Sequence, residues 1–166
     1  PTGRITALAL APDNKIVVGG GFNGFFPNGS FTGVEKPRFA RLNADGTVDT
    51  TFSTNIDANI LAMAVQSDGR ILVGGDFQSL QPSGDASPTY RRYLARLASD
   101  GKVDASFNLD INEQPGNRVD SLRLLSDGRL LVGGVFTSLQ PIGTATRVAR
   151  ANFVRINANG TLDEAF

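Results

Sequence analysis

Two charged positions recur in this 166-residue chain at a fixed spacing. Arg41, Arg96 and Arg155 each stand eight residues before an aspartate, Asp49, Asp104 and Asp163. Arg with Asp supports three uses: an anionic ligand held by the guanidinium, a cation held by the carboxylate, or a buried pair serving the packing of the fold. Asn43–Asp49 (NADGTVD) carries half the donors of an Asp-rich calcium loop, yet calcium takes roughly six to eight oxygens. The later copies supply fewer, because Ala98 stands for Asn43 and Asn159 for Asp45. Turn chemistry accounts for these residues without a metal. If the Asp-Gly turns are two-residue hairpin loops, Arg and Asp of one unit fall on opposite faces. The Arg then reaches a neighbouring sheet or a loop carbonyl.

Other chemistry is sparse. The chain has no His and no Cys, which removes disulfides, the usual zinc sites and Ser–His or Cys–His nucleophile pairs. Sixteen basic and sixteen acidic residues cancel, against a general nucleic-acid binder. Glu35, Asp85 and Glu113 form no paired-carboxylate pattern. The expectation is no catalysis, no cofactor, no metal and no membrane insertion. Lys36, Arg91 and Arg150, with Arg38, Arg92 and Arg147, form either a basic rim or a solvated face. Aromatics Phe25, Phe26, Phe31, Tyr90 and Tyr93 gather between strand-like runs. Phe25, Phe26, Tyr90 and Tyr93 are the candidate ligand-binding set, suited to stacking on a glycan or packing on another subunit.

These residues sit in a triplicated unit. Ile5–Phe52, Ile60–Phe107 and Val119–Phe166 align without a gap. Positions identical in all three include Gly19-Gly20, Gly74-Gly75 and Gly133-Gly134, then Phe22, Phe77 and Phe136. The set also holds the Arg and Asp positions above, and Phe52, Phe107 and Phe166. Each unit reads as four short strands. A first apolar run (Ile5–Ala11 in the first copy) meets a turn, PDNK or SDGR. KIVVGGGF, RILVGGDF or RLLVGGVF follows as a buried second strand. A connector bearing Pro and Gly leads to FARLNAD, LARLASD or FVRINAN, and a second turn leads to TVDTTF, KVDASF or TLDEAF. No amphipathic helix is evident. Paired glycines inside a strand mark a bulge or the close approach of another backbone. Repetition of the pair suggests crowding near a common axis.

The expected fold is all-β: three tandem four-stranded antiparallel blades, 5–52, 60–107 and 119–166, in one propeller-like module. The pattern [ILV]xxxxxxxDGRxLVGGxF followed by [FL]ARLxxDGxVDxxF resembles the delta-60 repeats of bacterial surface and secreted proteins. That resemblance implies a β-propeller-like, exported, bacterial repeat protein and no particular activity. Closed propellers typically have about four to eight blades. Three blades leave an apolar flank at each end, so the module is incomplete or belongs to a larger array. Opening at Pro1 and stopping on a repeat boundary fit a piece of a longer chain. The expected partners are further blades or a second copy, in a closed ring or an open fibre, at the cell surface or outside the cell.

Overall fold

The computed structural model describes residues 1–26, 32–141 and 143–166. Phe31, Pro27 and Gly29 of the first connector lie outside the described residues. Among those described, all regular structure is strand and none is helix.

In the first repeat β1 (Gly3–Leu10) pairs with β2 (Ile16–Phe22), then β3 (Gly24–Phe25) with β4 (Val34–Glu35), and β5 (Phe39–Leu42) returns to β2. A linker strand β6 (Thr54–Ile56) leads into the second repeat: β7 (Ile60–Val65), β8 (Ile71–Gly75), β9 (Ser79–Pro82), β10 (Thr89–Tyr90) and β11 (Leu94–Leu97). Linker strand β12 (Asp110–Ile111) leads into the third: β13 (Arg118–Leu124), β14 (Leu130–Val135), β15 (Ser138–Gln140), β16 (Val148–Ala149) and β17 (Phe153–Ile156). Each repeat is thus a three-stranded antiparallel sheet, in the orders β1-β2-β5, β11-β8-β7 and β13-β14-β17.

The expected fourth strand does not form as a strand. It is reduced to one bridge per repeat, Leu42↔Val48, Leu97↔Val103 and Ile156↔Leu162. The reason is local. After that single bridge the Asp folds its carboxylate onto the next residues: Thr51 N and Oγ1 donate to Asp49 Oδ1 at 3.1 and 2.6 Å. Such an Asx turn competes with ladder pairing.

The connectors also differ from simple loops. β9 pairs with β10 on one side and with linker strand β6 on the other. β15 pairs likewise with β16 and β12. Each linker therefore adds a strand to the connector of the repeat that comes after it. At the kink between connector and sheet, Arg38, Tyr93 and Asn152 hold φ of 64, 66 and 64°. A non-glycine residue there is unusual and signals local strain.

Both hairpin turns are one residue longer than Asp-Gly suggests. Asn43 N donates to Thr47 O at 2.8 Å and Gly46 N to Asn43 O at 2.9 Å, with Gly46 at φ 84°. That is a three-residue loop with a left-handed third residue, the next most common hairpin after the two-residue kind. One extra residue moves every later side chain to the other face.

The core lies between sheets. One cluster joins Val17, Phe39 and Phe52 of the first repeat to Ile60, Ile71, Val73 and Phe77 of the second. Another joins Leu72, Leu94 and Phe107 to Val119, Val132 and Phe136 of the third. Phe22 anchors a third cluster on the outer side of the first repeat, with Val18, Phe25 and Ala40. The first strands β1, β7 and β13 run side by side along the stack.

The two glycines of each pair do different work. A Cβ on Gly20, Gly75 or Gly134 would run into the first strand of its own sheet, at the Arg4, Asn59 or Arg118 carbonyl. Register shifts at Ile5/Ala7, Ile60/Ala62 and Val119/Ser121 mark the bulge there. Gly19 and Gly74 instead face the next repeat. Their Cβ would lie 2.7 Å from Ile60 Cγ2 and 2.5 Å from Val119 Cγ1.

Candidate functional site

The recurring Arg and Asp meet within each repeat. The longer loop puts them opposite one another on one face, which corrects the two-residue reading. Asp49 N donates to Arg41 O at 2.9 Å, and Arg41 Nε donates to Asp49 Oδ2 at 2.9 Å. Arg96 Nε reaches Asp104 Oδ2 at 2.8 Å, and Arg155 Nε reaches Asp163 Oδ2 at 2.6 Å. A second cation comes from the first hairpin. Lys15 lies 2.9 Å from Asp49, Arg70 3.7 Å from Asp104 and Arg129 3.4 Å from Asp163. Sequence reasoning missed these three, although a basic residue two positions after the turn aspartate in every copy was a visible signal.

Each guanidinium also stacks on the last aromatic of its repeat. Arg41, Arg96 and Arg155 Cζ lie 4.3, 4.8 and 4.4 Å from the ring centroids of Phe52, Phe107 and Phe166. One further donor of the first two crosses to the next repeat: Arg41 Nη1 donates to Ser99 O, and Arg96 Nη1 to Ala158 O at 3.4 Å. The Arg is therefore a strut, tying its own turn acid, its own Phe and the neighbouring hairpin.

Burial works against the charged form of Asp49. The hydrogen bonds of Thr51, Lys15 and Arg41 outweigh it and hold the carboxyl well below the usual carboxylate range. Asp104 shows the same balance, with Ser106 and Arg96 overcoming burial. Asp163 is held low first by its bond from Arg155. These oxygens are committed to turns and guanidinium groups. Asp45, the other acid of the calcium-like stretch, accepts from Thr47 N and Oγ1 at 2.9 and 2.7 Å. Among the described residues no three acids cluster as a metal site.

The basic rim does not assemble as a free surface. Lys36 is buried and donates to Phe52 O at 2.6 Å; burial lowers its pKa against the pull of Asp49. Arg38 donates to Ile56 O at 3.3 Å. Arg92 pairs with Asp110 and Glu113, each at 2.9 Å, and Arg147 pairs with Asp110. Arg150 donates to Ala149 O at 2.9 Å.

The four candidate aromatics are not brought together. Phe25 is buried, edge-on to Phe22 with centroids 4.9 Å apart. Tyr93 is buried beside a cavity of about 450 Å³ that also meets Glu113 and Arg118. Phe26 is exposed at a separate hollow beside Phe25 and Glu35. Tyr90, 70% exposed, borders a polar cavity of about 360 Å³ with Arg92, Asp110 and Gln140. A single stacking platform from all four does not exist.

Among the described residues, two large aromatic side chains are exposed on the flank of the third repeat. Phe39 and Leu94 are each 1% exposed, whereas the equivalent Phe153 is 49% exposed. Phe52 and Phe107 are 0 and 2% exposed, whereas Phe166 is 47% exposed. Phe153 and Phe166 pack edge to face on each other, with centroids 5.3 Å apart. On the opposite flank, Leu8 and Leu10 of β1 stand 62 and 67% exposed.

A family described as a domain of unknown function (DUF5122) beta-propeller matches residues 11–52, 66–107 and 125–166. No curated protein matches the chain. The matched stretches coincide with the three repeats from the first hairpin turn to the last Phe, and they cover most of the chain. The chain belongs to this DUF5122 β-propeller repeat family.

Proposed function

We propose that this chain is a non-catalytic interaction module of a bacterial surface or secreted repeat protein, associating through the end faces of its stack. The observation that carries this reading is the contrast at equivalent positions. Phe153 and Phe166 stand in water where Phe39, Leu94, Phe52 and Phe107 are covered by a succeeding repeat. Apolar area of that kind contributes about 25 cal/mol for each Å² removed from water, so an end face favours association. The delta-60-like pattern supports an extracellular or cell-surface location and a fibre or other large array. The stabilising chemistry is wholly structural: glycine sockets, Arg–Asp–Phe struts and shared cores. Light scattering across concentration tests the reading. A mass rising above 17.5 kDa supports it, and a 17.5 kDa monomer at every concentration refutes it.

A second reading is a glycan-binding propeller. The observation in its favour is narrower than four aromatics: Tyr90 alone offers an open ring over a polar cavity with Asp110 and Gln140. Retention on immobilised glycans, lost in Tyr90→Ala with the mass unchanged, supports this reading. Absence of any retention removes it.

A further inference from the structure

The polar cavity beside Tyr90 carries one charge that its surroundings do not match. It lies where the second connector, linker strand β12 and the third connector meet. Its volume of about 360 Å³ falls within the range of small-ligand pockets, about 300–1,000 Å³. Asp110 on its wall is already taken. Its Oδ1 accepts from Arg92 Nη1 at 2.9 Å, its Oδ2 from Arg147 Nη2, and its main-chain O from Arg147 Nη1 at 3.0 Å. The second terminal nitrogen of Arg92 pairs with Glu113 at 2.9 Å.

Arg91 on the same wall is different. Among the described residues its guanidinium makes one hydrogen bond, from Nη1 to Tyr90 O at 2.8 Å, and no carboxylate comes within ion-pair distance. Its Nε is buried and meets no acceptor. Burial pushes the guanidinium below its ordinary pKa, and the pull of Asp104 offsets this only in part. Arg91, Arg92 and Arg147 thus face two carboxylates, Asp110 and Glu113, and the cation left over is Arg91. A buried polar group without a partner is costly, so an anion that reaches Arg91 gains what the chain itself does not supply.

Resting on the glycan reading, we propose that this cavity binds an acidic sugar, a uronate residue of a polysaccharide. Its carboxylate pairs with Arg91 and its ring lies on Tyr90. A sugar hydroxyl donates to the side-chain oxygen of Gln140, whose Nε2 is held by Thr144 O at 2.8 Å. The unmatched guanidinium sets the charge of the ligand, and the open aromatic ring asks for a sugar rather than a bare anion. The place is single in the chain. In the first repeat Glu35 stands for Tyr90, and Lys36, standing for Arg91, is committed to Phe52 O at 2.6 Å. In the third, Ala149 stands for Tyr90.

Calorimetric titration of the intact chain with oligosaccharides of hyaluronan, alginate and galacturonan, each beside its carboxyl-reduced neutral form, tests this. At least one acidic form is expected to bind once per chain, and its neutral form about tenfold more weakly or less. Arg91→Gln is expected to bring the acid down to the neutral form, and Arg91→Lys to keep part of the preference. Tyr90→Ala, at an exposed position, is expected to weaken both forms about tenfold. Arg150→Gln, the counterpart beside Ala149, is expected to change nothing. Neutral forms bound as tightly as acidic ones, or a preference unchanged in Arg91→Gln, overturns the acidic ligand and leaves the glycan reading standing. Acid binding undiminished in Tyr90→Ala overturns the sugar and makes the cavity a simple anion site. Binding of none of these oligosaccharides, acidic or neutral, overturns the proposal and the glycan reading together.

Discussion

Gly74 of the second repeat lies under Val119 of the third, so closely that a Cβ at position 74 would sit 2.5 Å from Val119 Cγ1. Neighbouring sheets are in contact through the missing side chain. The equivalent glycine of the last repeat, Gly133, has no such neighbour. One residue type at one repeat position therefore has opposite tolerance in a covered repeat and in the uncovered last one.

Gly74→Val is expected to destabilise the chain by about 1–3 kcal/mol or more, as overpacking of a closed contact does. Gly133→Val is expected to stay within about 0.5 kcal/mol of wild type, as at an unconstrained surface position. Urea midpoints in dilute solution compare the two, and equal losses would contradict the asymmetry.

The Arg96–Asp104 pair gives a second expectation. Both side chains are largely shielded, at 5 and 14% exposure. Arg96→Ala leaves the half-buried Asp104 carboxylate to Ser106 and the more distant Arg70 and is expected to cost about 1–3 kcal/mol. Arg96→Lys keeps the charge but loses the planar fork that reaches Asp104, Ser106 and Ala158 together. It is expected to fall between alanine and wild type in the same denaturation series. A neutral Arg96→Ala would show that the strut carries no stability.

Acid stability rests on the three low carboxyl groups. Asp49, Asp104 and Asp163 bind protons less readily folded than unfolded, where the ordinary value is 3.8. Their contribution is complete above that value and is lost as pH falls through it toward the lower folded values. The urea midpoint is expected to hold between pH 7 and 5 and to drop steeply below 4. Asp49→Asn should start lower and drop less, because it removes one of the linked protons. A wild-type midpoint that is flat to pH 3 would contradict the sign.

The turn glycines separate backbone strain from contact. Gly46 and Gly101 sit at φ 84 and 93°, so alanine at either adds left-handed strain of about 1–2 kcal/mol. At Gly101 the new methyl also meets Thr54 of the linker strand and Phe52 of the preceding repeat. In dilute solution Gly101→Ala is expected to be clearly worse than Gly46→Ala. Equal costs would mean that the Phe52 contact is slack.

Much of this arrangement is legible in the residues. The repeat frame, the buried Phe22, Phe77 and Phe136, and the crowding at the glycine pairs stem from residue types at fixed offsets. The hairpin parity does not. Asp45-Gly46 suits both a two-residue turn and a three-residue loop, since Gly46 takes positive φ in either. The bond from Asn43 N to Thr47 O selects the longer loop and brings Arg41 to Asp49. The short last strand was equally hidden, because Val48 and Leu162 look like strand residues until the Asx turn beside them is seen. Connector aromatics were the least readable. Phe25 is buried by Phe22, and Tyr93 sits in a core shared with the third repeat. The Tyr93 contacts come from residues distant in sequence, and Phe25 folds back onto Phe22 three positions before it. The exposed flank at Phe153 and Phe166 could be inferred in kind, as an uncovered end, but not assigned to residues.

The most direct test of packing between repeats is amide hydrogen exchange on the intact, dilute chain. Slowest exchange is predicted for β8 and β11, whose sheet is covered on both sides, with faster exchange in β14 and β17 beside the open flank. Equal protection in the three sheets, or fastest exchange in the middle one, would mean that each repeat is stable by itself, and the account would be wrong.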